Sequence, residues 1–175
     1  MKTKIGMVRF GILLLALWLV FGLGSSRADQ KIEITKQDRC PVCGMFVYKY
    51  PKWVAQIYFN DGKAYFYDGA KDMFKHIFNT EKYTPGKTVE MMTEILVTDY
   101  YDVELFDAKS AYYVIGSDVL GPMGHELLPF KDQESAKEFL EDHKGKSILR
   151  YPEVTPAVIE SLDQHQMEQH HPATE

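Results

Sequence analysis

Two stretches of this 175-residue chain run through the same order of strand, strand, helix and strand. In the first, β-branched and aromatic runs at 54–59 and 63–67 are separated by Asn60-Asp61-Gly62, the signature of a hairpin. Asp68 then suits an N-cap, and Ala70, Met73, Phe74, Ile77 and Phe78 recur at the spacing of a helix with one buried face, ending near Asn79. Thr84-Pro85-Gly86 marks a loop, 94–99 reads as a third strand and 103–106 as a short one. The second stretch has strand-like segments at 111–115 and 126–130. A helix over 132–143 follows through Ala136, Phe139 and Leu140, stopped by Gly145, with a strand at 147–151. The fold class expected is therefore α+β, two small ββαβ-like halves (about 40–106 and 107–151) sharing a core within a domain over 29–163. Thr155-Pro156 opens a C-terminal helix over 156–163, and 164–175 is expected to be a flexible tail.

Composition agrees with a packed domain and narrows the partners. Hydrophobic residues make up 45% of the chain and aromatic ones 13%, enough for a core and against disorder. The formal charge is −5 from 20 basic and 25 acidic residues, but Lys2, Lys4, Arg9 and Arg27 all precede residue 29 and no acid does. The remainder stands at −9, which excludes a nucleic-acid partner because the domain would repel phosphate.

That basic N-terminus leads into an uncharged apolar run over 10–23, and Ser26 and Ala28 place small residues at positions minus three and minus one of a cut after Ala28. The run is shorter than the ~20 residues of a spanning helix. Residues 1–28 read as a cleaved export signal, with an uncleaved membrane anchor as the alternative. No cysteine precedes Cys40, so nothing stands where a bacterial lipoprotein would be acylated. The expected location is the periplasm, where a cysteine pair must be disulfide-bonded, metal-bound or kept reduced by a partner.

Both cysteines lie in Cys40-Pro41-Val42-Cys43-Gly44-Met45, a spacing that lets two thiolates meet one metal ion from a tight turn. Three readings compete. A structural zinc ion, as in a zinc-stabilised binding module, wants four closed ligands, and the chain supplies no further cysteine. A thiol-disulfide oxidoreductase wants CxxC at a helix start, whereas Phe46, Val47, Tyr48, Tyr50 and Pro51 read as extended chain. Copper(I) is soft and accepts thiolate and thioether donors in smaller number, and Met45 stands beside the pair. Met123, between Pro122 and Gly124 in a loop over 116–124, is hard to explain as packing, whereas Met73 on the helix's apolar face is core. His125 adjoins Met123, and His165, Met167, His170 and His171 lie in the polar tail. No Ser/His/Asp order or phosphate-cradling glycine loop is present, so hydrolytic and nucleotide chemistry have no support.

In CPVCGM (40–45), FYDGAKDM (66–73), the long segment 97–124 with AYYVIGSD and GPMG, and the His/Met tail, the chain resembles the NosL family of exported copper(I)-binding accessory proteins for nitrous-oxide reductase maturation. The resemblance implies two ββαβ-like halves similar to organomercurial lyase. It also implies a copper(I) ion held by Cys40, Cys43, Met45 and Met123, and no enzymatic activity. Its implied partners are a copper-receiving cuproenzyme, nitrous-oxide reductase, and a membrane-associated ABC-type maturation complex.

Overall fold

The structure is a computed structural model that describes residues 32–170, with side chains as far as residue 164. The export segment expected over 1–28 and His171 of the expected tail lie outside the described residues. Among the described residues, no helix is long and apolar enough to cross a membrane.

Strands β1 (Ala55–Phe59) and β2 (Ala64–Tyr67) form the first hairpin, in antiparallel register from Ala55 opposite Tyr67 to Tyr58 opposite Ala64. Gly62 turns the corner at φ +80°, a left-handed conformation open to a residue without a Cβ. Helix α1 (Ala70–Phe78) follows, then a single turn α2 (Thr80–Tyr83), and the chain returns as β3 (Met92–Thr98). Strand β3 pairs antiparallel with β1, and β4 (Leu105–Asp107) pairs with β3, giving the order β2-β1-β3-β4.

The second half repeats the plan with β5 (Tyr112–Ile115), β6 (Leu128–Phe130), helix α3 (Gln133–Asp142) and β7 (Ser147–Arg150), in the order β6-β5-β7. In each sheet the first strand of the hairpin sits between its hairpin partner and the strand that returns from the helix. The recurrence in sequence is thus a recurrence in topology. Asp132 caps α3, its carboxylate accepting from the Ser135 N–H and hydroxyl, each at 2.8 Å. The last helix, α4 (Pro156–His170), is longer than the 156–163 expected: nothing after Pro156 in that stretch is Pro or Gly, so no breaker ends it there. The positions of His165, Met167 and His170 are therefore helical, where a flexible tail was expected.

One core joins the halves. Ile57, Tyr67, Met73 and Phe74 of the first half pack with Tyr113 and Leu127 of the second, and the Phe74 and Tyr113 rings meet edge-on at 5.4 Å between centroids. Strand alternation explains how β5 serves two layers: Tyr113 faces this core, while Val114 joins Phe130, Ala136 and Phe139 in a cluster beneath α3.

His76 of α1 is buried in that core, with Nδ1 2.6 Å from the Tyr67 hydroxyl and Nε2 2.8 Å from the Thr84 hydroxyl. Burial lowers its pKa from 6.5 to about 4, so the folded imidazole stays neutral where the unfolded one charges. Between those values the unfolded chain holds more protons, and stability falls as pH drops through that window, by up to about 3 kcal/mol. His76→Phe is expected to be less stable at neutral pH, since two hydroxyls lose a partner, but to lack this acid limb when urea midpoints are compared between pH 7 and 4.

Candidate metal centre

The loop that carries the cysteines closes on itself. The Cys40 N–H donates to the Met45 carbonyl and the Gly44 N–H to the Cys40 carbonyl, both at 2.9 Å, with Gly44 at φ +78°. Arg39 braces the loop from outside: one guanidinium nitrogen donates to the Gly44 carbonyl at 2.9 Å, and its charge lies 3.7 Å from the centre of the Phe46 ring. Of the residues expected to be extended, Phe46 is, in an isolated bridge with Arg39, but those just after it are not. Val47–Lys49 form a 3-10 turn, anchored by the fully buried Val47 and closed by the Tyr50 N–H on the Val47 carbonyl at 2.9 Å.

The turn delivers two free thiols of unequal access, Cys40 buried at 1% exposure and Cys43 half-buried. Each donates to a different carboxylate at the start of α1. Cys40 Sγ lies 3.3 Å from Asp72 Oδ2, and Cys43 Sγ lies 3.1 Å from Asp68 Oδ1. One ligand atom from each of the four residues falls within 4.8 Å of all the others. Both carboxylates are buried, and Asp68 Oδ2 and Asp72 Oδ1 accept no hydrogen bond from the described residues, although Lys75 Nζ stands 3.5 Å from the latter as an ion pair. Oxygens buried without donors are costly, and a cation placed among them would satisfy them. The Cys40 thiol is pushed well above the ordinary thiol range by the neighbouring Cys43 side chain, then by burial, then by the charges of Asp72 and Asp68. Two sulfurs among two carboxylates form a cluster that gains most from positive charge.

Asp68 does not cap α1. Gly69 occupies the N-cap position, and the Lys71 N–H at the helix start is met by Glu126 Oε1 at 2.6 Å, from the second half of the chain. The same oxygen accepts the Leu127 N–H at 2.9 Å. Residues 126 and 127, expected in a strand, instead leave the β6 ladder to reach α1. Burial raises the Glu126 carboxyl to about 8, against the pull of Lys71 and the two backbone donors.

Met123, expected as a ligand, lies in a turn whose ends are held by reciprocal Gly121 and Gly124 hydrogen bonds at 2.8 and 3.1 Å. Its carbonyl accepts from the fully buried Lys71 Nζ at 2.8 Å, which brings its backbone to the helix residue beside Asp72. Met45 sits half-buried on the returning limb of the cysteine loop. Asp68, Lys71, Asp72 and Glu126 were not nominated from the sequence. The available signal was Asp68-Gly69-Ala70-Lys71-Asp72, three charged residues at the start of an apolar helical pattern.

Fold and site together define a small α+β protein of two ββαβ halves with a candidate metal centre of thiols and carboxylates. The chain belongs to the NosL family, whose model matches residues 31–159. It is 28% identical over 155 residues, 84% of this chain and 81% of the relative, to the copper-binding lipoprotein NosL of Stutzerimonas stutzeri. The crystal structure of the copper chaperone NosL from Shewanella denitrificans superposes with a TM-score of 0.62 at 26% identity, covering 73% of this chain and 97% of that one.

Two outcomes follow from this geometry. In the reduced, metal-free protein, iodoacetamide is expected to modify Cys43 well before Cys40, as peptide mass spectrometry at intermediate times would show; equal rates would contradict the burial of Cys40. Glu126 keeps its proton in the folded state up to about pH 8, whereas the unfolded chain releases it near 4.5. Stability therefore falls as pH rises through that window. The variant E126Q, which cannot ionise, is expected to gain stability relative to wild type as urea midpoints are followed from pH 5 to 9.

Proposed function

We propose that the protein is an exported, periplasmic carrier of copper(I) and not an enzyme. The ion is taken up by sulfur from Cys40, Cys43, Met45 and Met123 and passed to a cuproenzyme, nitrous-oxide reductase, by way of a membrane-associated ABC-type maturation complex. The reading is carried by one observation: two facing thiols on a partly open loop, set against buried carboxylate oxygens that lack donors. The names of the two relatives, a copper-binding lipoprotein and a copper chaperone, support copper as the metal.

Transfer follows from the chemistry of the donors. Thiolates and thioethers are soft and favour copper(I). Thioethers are neutral, so a mixed set releases the ion more readily than an all-thiolate cage, and Cys43 is the thiol an incoming acceptor ligand can reach. Thiol-disulfide exchange fits less well, because the CxxC motif opens no long helix that would lower a thiol pKa, and the surroundings of Cys40 keep its proton on. A second reading has an observation of its own. Two thiolates and two carboxylates also supply the four donors that a zinc site takes, so a fourfold site no longer lacks ligands.

Competition between the reduced protein and a chromophoric chelator tests the proposal. One equivalent of copper(I) is expected, with affinity lowered about tenfold or more, at least ~1.4 kcal/mol, in C43S and in M123A. Unchanged affinity in both variants would remove the copper reading. Zinc titration of D68N and D72N separates the second reading, since loss of zinc with copper(I) retained would assign the carboxylates to the divalent ion.

A further inference from the structure

Met123 lies in a long connection between β5 and β6, and a thioether on a loose loop would have to be ordered each time an ion bound. Here a single helix residue holds that loop at two points. The Lys71 side chain donates from Nζ to the Met123 carbonyl at 2.8 Å, and the Lys71 backbone N–H donates to Glu126 Oε1 at 2.6 Å. Lys71 Nζ is also 3.2 Å from Asp163 Oδ1 of α4, which ties the C-terminal helix to the same junction. The Lys71 side chain is fully buried and Glu126 is 3% exposed. Burying an ammonium group where a leucine would pack at lower cost makes sense only if its donors do specific work.

The surroundings are shaped for this contact. A Cβ on Gly69 would collide with Glu126 Oε2, and a Cβ on Gly121 would stand 3.1 Å from the Glu126 stem and 3.2 Å from the Trp53 ring. Both glycines thus leave room for the carboxyl to reach the helix. Residue 71 also lies between Asp68 and Asp72, the acceptors of the two thiols. The loop is therefore registered against the same helix turn that receives the cysteine loop.

We propose that Lys71 and Glu126 form a clamp that positions Met123 as a sulfur donor to the ion held by the cysteines, an inference that rests on the copper(I) reading above. Both are positioning residues: neither offers the ion a soft donor, and both act through the loop backbone. Clamping in advance removes the ordering cost from the binding step, so loss of the clamp should act on the ion only through Met123.

The test measures copper(I) affinity of the exported, reduced protein by chelator competition and counts sulfur neighbours by X-ray absorption. K71M and E126A are each expected to weaken binding about 10- to 100-fold, as loss of outer-shell support does, and to remove one sulfur from the count. In the M123A background the same substitutions should have no further effect. E126Q, which keeps the shape and the accepting oxygen, should recover the affinity that E126A loses. Should K71M fail to fold, G69A takes its place, because the added methyl pushes the flexible Glu126 carboxyl off the Lys71 N–H while leaving Lys71 intact. The clamp is overturned if the sulfur count stays unchanged in these variants, or if they weaken copper equally with and without Met123. An M123A variant of unchanged affinity would remove Met123 from the donors and the clamp with it, whereas unchanged affinity in C43S as well would remove the copper(I) reading.

Discussion

The first turn of an α-helix carries backbone N–H groups with no partner inside the helix. In α1 one of these is met from across the chain by the Glu126 carboxyl rather than by the local Asp68. Much of the site depends on that exchange. Had Asp68 turned back to cap its own helix, its carboxylate would face the backbone and Cys43 would lose its acceptor. With Glu126 in place, Asp68 and Asp72 both turn toward the cysteine loop, and the connection carrying Met123 is fixed at the same helix end. The charge of Lys71 and the N–H groups of Leu127 and Lys71 offset part of the burial that raises Glu126.

The duplicated plan explains why such a contact is available. In β5, Val114 packs with the residues beneath α3 while Tyr113 joins the first half's core. That packing brings the loop after β5 over the start of α1. The thiols and carboxylates of the cluster all belong to the first half, and the second half reaches the same helix start through Glu126 and the Met123 carbonyl.

The ββαβ order of both halves was legible because local signals agreed: Asn60-Asp61-Gly62 with flanking β-branched runs, the Ala70 to Phe78 spacing, and Asp132 before an amphipathic stretch. The cysteine loop was legible from spacing alone. Asp68 was misread for a physical reason, since an aspartate before an apolar helical pattern is an N-cap unless a distant group takes the position. Lys71 was invisible because a lysine reads as solvent-facing, and only tertiary packing seals it beneath the Met123 loop. Glu126 was absorbed into a strand for the same reason. What escaped sequence reasoning is the set of polar contacts between elements far apart in the chain.

The two carboxylates of the cluster are not equivalent. Asp72 Oδ1 has Lys75 Nζ at 3.5 Å, and that ammonium also meets Asp163 of α4 at 2.9 Å. Burial alone would lower the Lys75 pKa, but Asp163 and Asp72 outweigh it and raise it, so the group holds its charge beside the buried thiol. Asp68 Oδ2 has no such neighbour and accompanies the more accessible cysteine. The cluster thus pairs an ion-paired carboxylate, Asp72, with the buried Cys40, and a carboxylate without a cation partner among the described residues, Asp68, with the half-buried Cys43. A cation placed in the cluster would gain most where negative charge lacks a partner, and the more accessible sulfur, Cys43, stands on that same side.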